Sequence, residues 1–155
     1  MKIDEKDAGI LRLLQQNDRT TIKEMSEKIS LSPSPTFDRQ KRLEKEGVIL
    51  KYGAVVDYRK AGNSIIVLCY LRLRKQNEEC AQRFLKDIMA IDEVAECFNI
   101  SGDYDYVAKI YLRDMAHYED FVNNTLGRLT SIERFHSVFV ISEVKNSHTI
   151  PVYPS

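Results

Sequence analysis

The sequence predicts an α+β chain of 155 residues in two parts: three short helices over 1–50, then a β-α-β-β-α-β order over 64–145. Three observations carry this. Apolar residues recur at helical spacing through the first fifty positions. After residue 63, short alternating β-branched runs interleave with two helical patterns. Between them, Gly62-Asn63 breaks both periodicities.

The first helix is expected behind Asp4 as N-cap, with Ala8, Ile10, Leu11, Leu13 and Leu14 at helical spacing and a fade by Asn17-Asp18. A second starts near Thr20-Thr21 and places Ile22, Met25, Ser26 and Ile29 on one face. Ser30-Leu31-Ser32 is a turn. Pro33 and Pro35 then fit only the first turn of a third helix, where a missing N–H costs nothing, and Gly47 ends it. With Phe37, Gln40 and Leu43 inward, Ser34, Pro35, Asp38, Arg39, Arg42 and Lys45 face outward. Ile10, Leu14, Ile22, Met25, Ile29, Phe37 and Leu43 make the expected core.

Val48–Asp57 reads as a strand, and 51–63 as a linker strand and hinge. Ser64–Arg74 follows as a strand. Asn77 caps a helix carrying Ala81, Phe84, Leu85 and Ile88. Val94–Ile100 and Tyr104–Leu112 are strands around a Ser101-Gly102-Asp103 turn. Asp114 caps a helix with Met115, Tyr118, Phe121, Val122 and Leu126 on its face, and Ser131–Lys145 returns as a long strand. The order is that of the ferredoxin-like split motif: a four-stranded antiparallel sheet with two helices on one face. The tail, 146–155, with Pro151 and Pro154, is expected to be loose or draped on a partner.

Composition narrows the function classes. The 23 basic and 23 acidic residues cancel, but residues 1–60 hold 13 Lys/Arg against 10 Asp/Glu and residues 61–155 hold 10 against 13. This permits a nucleic-acid contact in the first part without demanding one. Cys69, Cys80 and Cys97 are odd in number and far apart, which argues against a disulfide framework or a zinc site and for reduced thiols. Met1–Asp7 is too charged for a signal peptide, and no apolar run is long enough to span a bilayer. The expectation is a cytoplasmic protein with no membrane partner. His117, His136 and His148 lack ligand spacing, so neither a metal nor a catalytic role is expected of them.

Two helices, a turn and a basic third helix are what a helix-turn-helix reader of double-stranded DNA needs. Ser34 and Arg39 are the expected base-edge residues, since Arg bonds guanine bidentately. Arg42 and Lys45 lie where phosphates would. Hydroxyls and free N–H groups from Ser32 to Thr36, including Pro35's turn, sit at the positive helix end and can hold a phosphate. Thr21, with Thr20, can do the same at the second helix. Against this stands the bland reading, a solvated Arg/Lys face.

SLSPSPTFDRQKRLEKEGVI resembles the helix-turn-helix of the Lrp/AsnC (leucine-responsive/asparagine-type, feast/famine) regulators, through Leu31, Ser32, Ser34, Phe37, Arg39, Arg42, Leu43, Glu44, Gly47, Val48 and Ile49. Ile3-Asp4 with Asp7, Ile10 and Leu11 also resembles the family. So do the turn Ser101-Gly102-Asp103-Tyr104-Asp105-Tyr106 and the closing run Ser142–Lys145. One departure is Gln40, where the family has Val or Ile; a polar side chain in a small core is costly without a partner.

The resemblance implies a transcriptional regulator that dimerises through its C-terminal domain and linker strand, assembles further into octamers, and binds a small effector, an amino acid, between neighbouring dimers. It places the effector turn at Ser101, Gly102, Asp103, Tyr104 and Asp105. Gly102 allows backbone N–H groups to approach a carboxylate, and Asp103 or Asp105 can accept from an ammonium. Met115, Val138 and Phe139 are the expected apolar walls. No cofactor is expected. Two alternatives compete. Some relatives that the resemblance implies use this two-domain architecture to decarboxylate a siroheme-type tetrapyrrole, for which this chain offers His117, Arg113 and Tyr111. The other is an assembly module that has lost DNA binding, against which Arg39 and Arg42 argue.

Overall fold

A computed structural model describes residues 2–155, and the chain divides into two compact units, 1–55 with 145–155, and 56–144. The two are taken separately.

In the first unit, α1 spans Glu5–Gln16, α2 Ile22–Ile29 and α3 Pro33–Lys45. Each start has a chemical cause. Asp4 accepts from the Asp7 N–H and Asp7 answers to the Asp4 N–H, a reciprocal capping box. Thr21 and Glu24 repeat the device on α2. The turn into α3 is made by Ser30 in the left-handed region, at φ 54°, with the Leu31 N–H donating back to Ser26 O. Gly47, at φ 71°, closes α3 and lets the Val48 N–H reach Leu43 O. Ile10, Leu14, Met25, Ile29 and Leu43 form the buried core.

Phe37 is not in it. It is 47% exposed, while Thr36, expected near the surface, is fully buried with its hydroxyl donating to Ser32 O. The helix is turned so that Thr36 and Leu43, seven residues apart, face inward. Gln40 sits at the margin: its Nε2 donates to the Tyr52 hydroxyl at 2.7 Å, and that hydroxyl donates to Glu44 at 2.8 Å. The polar group of Gln40 is thereby satisfied from outside the core.

Two expectations fail here for one reason. Residues 48–57 form no strand: among the described residues the sheet of this chain holds only four strands, and none of them lies alongside to complete a ladder. The tail is not loose: Gln15 exchanges two hydrogen bonds with the Ile150 backbone, Arg12 donates to Val152 O, and the Ser155 N–H reaches Ile3 O. Backbone groups without a sheet partner bond to the α1 side chains that are available.

In the second unit, β1 (Ile65–Leu73), α4 (Glu78–Met89), β2 (Val94–Asn99), β3 (Tyr106–Leu112), α5 (Met115–Asp120) and β4 (Ile132–Phe139) give a four-stranded antiparallel sheet in the order β2-β3-β1-β4. After α5 the helix widens into a π turn at Phe121–Thr125 and tightens at Leu126–Arg128. Alternation puts Val67, Cys69, Leu71, Tyr106, Ala108 and Ile110 against Phe84, Ile88, Phe121 and Leu126. Met115 and Leu85, each expected on the inner face of its helix, are exposed. β4 ends at Phe139 and not at Lys145: Val140 makes the last bond to β1, and Ile141 and Val144 lie almost fully exposed.

Candidate nucleic-acid interface and effector turn

Asp7 organises the first unit. Its carboxylate is 1% exposed and accepts from Arg39 at 2.8 Å and from Arg42 at 2.7 Å, while Arg39 also reaches Asp4 at 2.6 Å. The Asp4 carboxyl is held down at about 2, first by the Asp7 N–H and then by Arg39; the same carboxylates raise Arg39. The expected outward position of Arg39 is therefore corrected. Its guanidinium turns back onto α1 because a buried carboxylate without a cation would be costly there. Arg42 shares that carboxylate and is half exposed.

What α3 presents outward is a stripe at i, i+3, i+4, i+7 and i+11: Ser34, Phe37, Asp38, Lys41 and Lys45, all exposed. Ser34 and Lys45 stand as the sequence placed them. Phe37 and Lys41 were missed. Lys41 Nζ lies 5.7 Å from the Phe37 ring centroid and 2.7 Å from Glu44.

The N-terminus of α3 is poorer in donors than expected. Prolines 33 and 35 have no N–H, the Thr36 N–H returns to Ser32 O, and the Thr36 hydroxyl is buried. Pro35 is exposed but contributes only its ring. Ser32 is the N-cap yet makes no side-chain capping bond. Thr21, exposed, spends its hydroxyl on Glu24.

In the second unit, Asp105 closes the 101–105 turn. Its carboxylate accepts from the Leu73 N–H at 2.7 Å and from Gln76 at 2.8 Å; its carbonyl accepts from Asn99, and Arg72 donates to Asp103 O. Gly102 turns the hairpin at φ 113°. Ser101, Gly102 and Asp103 are exposed. Tyr104 lies on the open sheet face, its ring 5.3 Å from the Arg134 guanidinium and 5.7 Å from the Tyr70 ring.

The expected apolar walls do not join this turn. Val138 pairs with Leu68 and Phe139 with Val67, whereas the turn adjoins Tyr106, opposite Leu71. Three or four residues at about 3.3 Å each put on the order of 10–13 Å between them along β1. Val138 and Phe139 also point to opposite faces, Phe139 packing on Tyr118 at 4.9 Å. Met115 lies at the same far end. One chain does not gather the eight residues.

The residues offered for a decarboxylase are engaged locally. His117 Nδ1 accepts from the Arg113 N–H, its Nε2 lies 3.3 Å from Glu93, and Tyr111 packs on Tyr58 and Lys109. Among the described residues there is no cluster of three or more metal-ligating side chains, and no helix is long and apolar enough to cross a membrane.

A helix-turn-helix unit followed by an α/β unit with a four-stranded antiparallel sheet defines a two-domain DNA-binding regulator. Residues 3–49 match the winged helix-turn-helix DNA-binding model and residues 66–150 match the Lrp/AsnC ligand binding domain, so the chain belongs to the Lrp/AsnC family of transcriptional regulators. It is 34% identical to the transcriptional regulator AzlB of Bacillus subtilis, covering 97% of this chain and 96% of that one. It is also 34% identical to the leucine-responsive regulatory protein of Haemophilus influenzae, over 94% and 88%. A transcriptional regulator of Neisseria meningitidis crystallised as its L-Met complex superposes with a TM-score of 0.91 at 30% identity, over 96% of both chains.

Proposed function

We propose that this chain works in the cytoplasm as a non-enzymatic regulator that reads duplex DNA with α3 and responds to an amino acid held at the 101–105 turn. The observation that carries the reading is the division of labour on α3. Arg39 and Arg42 fasten it to α1 through buried Asp7, which leaves the Ser34–Lys45 stripe free for base edges and phosphates. Ser34, Lys45 and the uncapped Ser32 hydroxyl keep the DNA roles expected of them, Arg42 has the exposure to reach a phosphate, and Arg39 acts by positioning the helix. Thr21 and Pro35 flank the same surface. The functional division is 1–50 for DNA, 51–63 as linker, 64–145 for effector and assembly, and 146–155 as tail.

The Neisseria relative's L-Met supports an amino-acid effector. The separation of the turn from Met115, Val138 and Phe139 supports a site completed by another copy, and the unpaired linker at 50–57 supports dimers joined there, with octamers above them. Paired α3 helices would meet successive major grooves about 34 Å apart, and the effector would act through the coupling free energy between assembly and DNA affinity. Genome-wide mapping of bound DNA, with and without a panel of amino acids, tests this. Discrete sites whose occupancy shifts with one class of amino acid are expected; uniform, effector-blind occupancy contradicts the reading.

A further inference from the structure

Phe37 is the anomaly on the outer face of α3. Its ring is 47% exposed in the second turn of the helix, set in a stripe whose other members, Ser34, Asp38, Lys41 and Lys45, are polar or charged. It contributes nothing to the core of its own unit, in which Thr36 and Leu43 fill the inward positions of α3. A solvated ring at that place costs the free chain some solubility and gains it no packing.

Resting on the DNA reading above, we infer that Phe37 is a specificity-determining residue that reads the C5-methyl group of thymine in the major groove. The N-terminal part of a recognition helix is the part that meets base edges, and Phe37 lies there. Of the groups a base pair offers in the major groove, the thymine methyl is the apolar one; the rest donate or accept hydrogen bonds. An aromatic ring can therefore discriminate there only for or against that methyl. The neighbours support a base-edge position. Asp38 would be repelled by a phosphate, but accepts from an exocyclic amine of cytosine or adenine. Lys41 Nζ stands 5.7 Å from the ring centroid and is tied to Glu44 at 2.7 Å, while the ring itself stays 47% exposed. From Ser34 to Lys41 the stripe rises about 10 Å at 1.5 Å per residue, the length of about three base steps at 3.4 Å, so Phe37 faces the middle of the triplet that α3 spans.

Replacing thymine with uracil removes the methyl and keeps every hydrogen-bonding group, which isolates the contact. A duplex enriched from a random library by the full-length chain is rebuilt with deoxyuridine at one thymine at a time. One methyl withdrawn from water is worth about 0.8 kcal/mol, which converts to about a fourfold loss of affinity at one thymine in each half-site; other positions stay within error. Phe37→Ala binds the thymine and uracil duplexes alike. If the wild-type chain binds all uracil duplexes as tightly as the parent, or if Phe37→Ala keeps the discrimination, the inference is overturned while sequence-specific binding stands. If the library yields no enriched sequence, the DNA reading itself fails and takes this inference with it. The first arm uses only the unaltered protein, so a folding defect in the variant cannot mask the answer.

Discussion

Arg39 has two acidic partners at the start of α1, the N-cap Asp4 and the buried Asp7, and this decides what its loss should do. Were it a base reader, Arg39→Ala would blur the preferred DNA sequence. As a positioning residue its removal leaves Asp7 with Arg42 alone, which costs the N-terminal unit about 1–3 kcal/mol. The expected result is a lower denaturation midpoint and weaker affinity for every duplex, with the sequence preference in a selection experiment intact. A second residue-scale effect concerns acid. The Asp4 carboxyl titrates at about 2 in the folded chain against an ordinary 3.8, held down first by the Asp7 N–H and then by Arg39. A folded value below the unfolded one means the stabilisation is fully present above about pH 4 and is lost as the pH falls through about 2. Asp4→Asn should therefore flatten the stability profile of the N-terminal unit between those limits, as measured by circular dichroism of acid unfolding.

At the scale of the element, the 101–105 turn is built from the strand beneath it. Asp105 accepts from the Leu73 N–H and from Gln76 where β1 ends, so its carboxylate is a structural fastener before it is anything toward a ligand. Asp105→Ala orphans that N–H, destabilises the second unit by about 1–3 kcal/mol and reduces the response to an amino acid. Asp105→Asn keeps an acceptor for the N–H. It is expected to hold both stability and amino-acid affinity near wild type by denaturant titration and calorimetry; loss of affinity with stability kept would instead assign the charge to the ligand. The α3 element teaches a related lesson. Its boundaries follow from Pro33 and Gly47, which act through their own backbones. Its rotation depends on which residues α1 offers it. Asp4 and Asp7, three apart at the start of α1, match Arg39 and Arg42, three apart on α3, and that paired spacing is a sequence signal for the ion pairs which the outward placement of both arginines overlooked.

Across the whole molecule, several large apolar side chains are left in solvent. Leu50, Val55, Ile141 and Val144 are each more than half exposed; the first two fall in 48–57, expected as a strand that does not form, and the last two in 140–145, the part of the expected 131–145 strand that lies beyond the end of β4. A strand is a relation between two backbones, so a sequence can state the propensity of 48–57 without stating whose edge satisfies it. The order of the helices and of the four sheet strands, the helix caps at Asp4, Asn77 and Asp114, the start of α2 near Thr21, the sheet alternation and the family were all determined by the sequence alone, because each depends on contacts a few residues long or on a period of two or 3.6. The tertiary structure decided the facing of Phe37 and Arg39, the partner of Gln40, and the separation of Val138 and Phe139 from the 101–105 turn. Those depend on which side chains from distant positions meet. A rotation of a fraction of a helical turn, worth little in backbone energy, exchanges a solvent-facing side chain for one tied to the neighbouring helix.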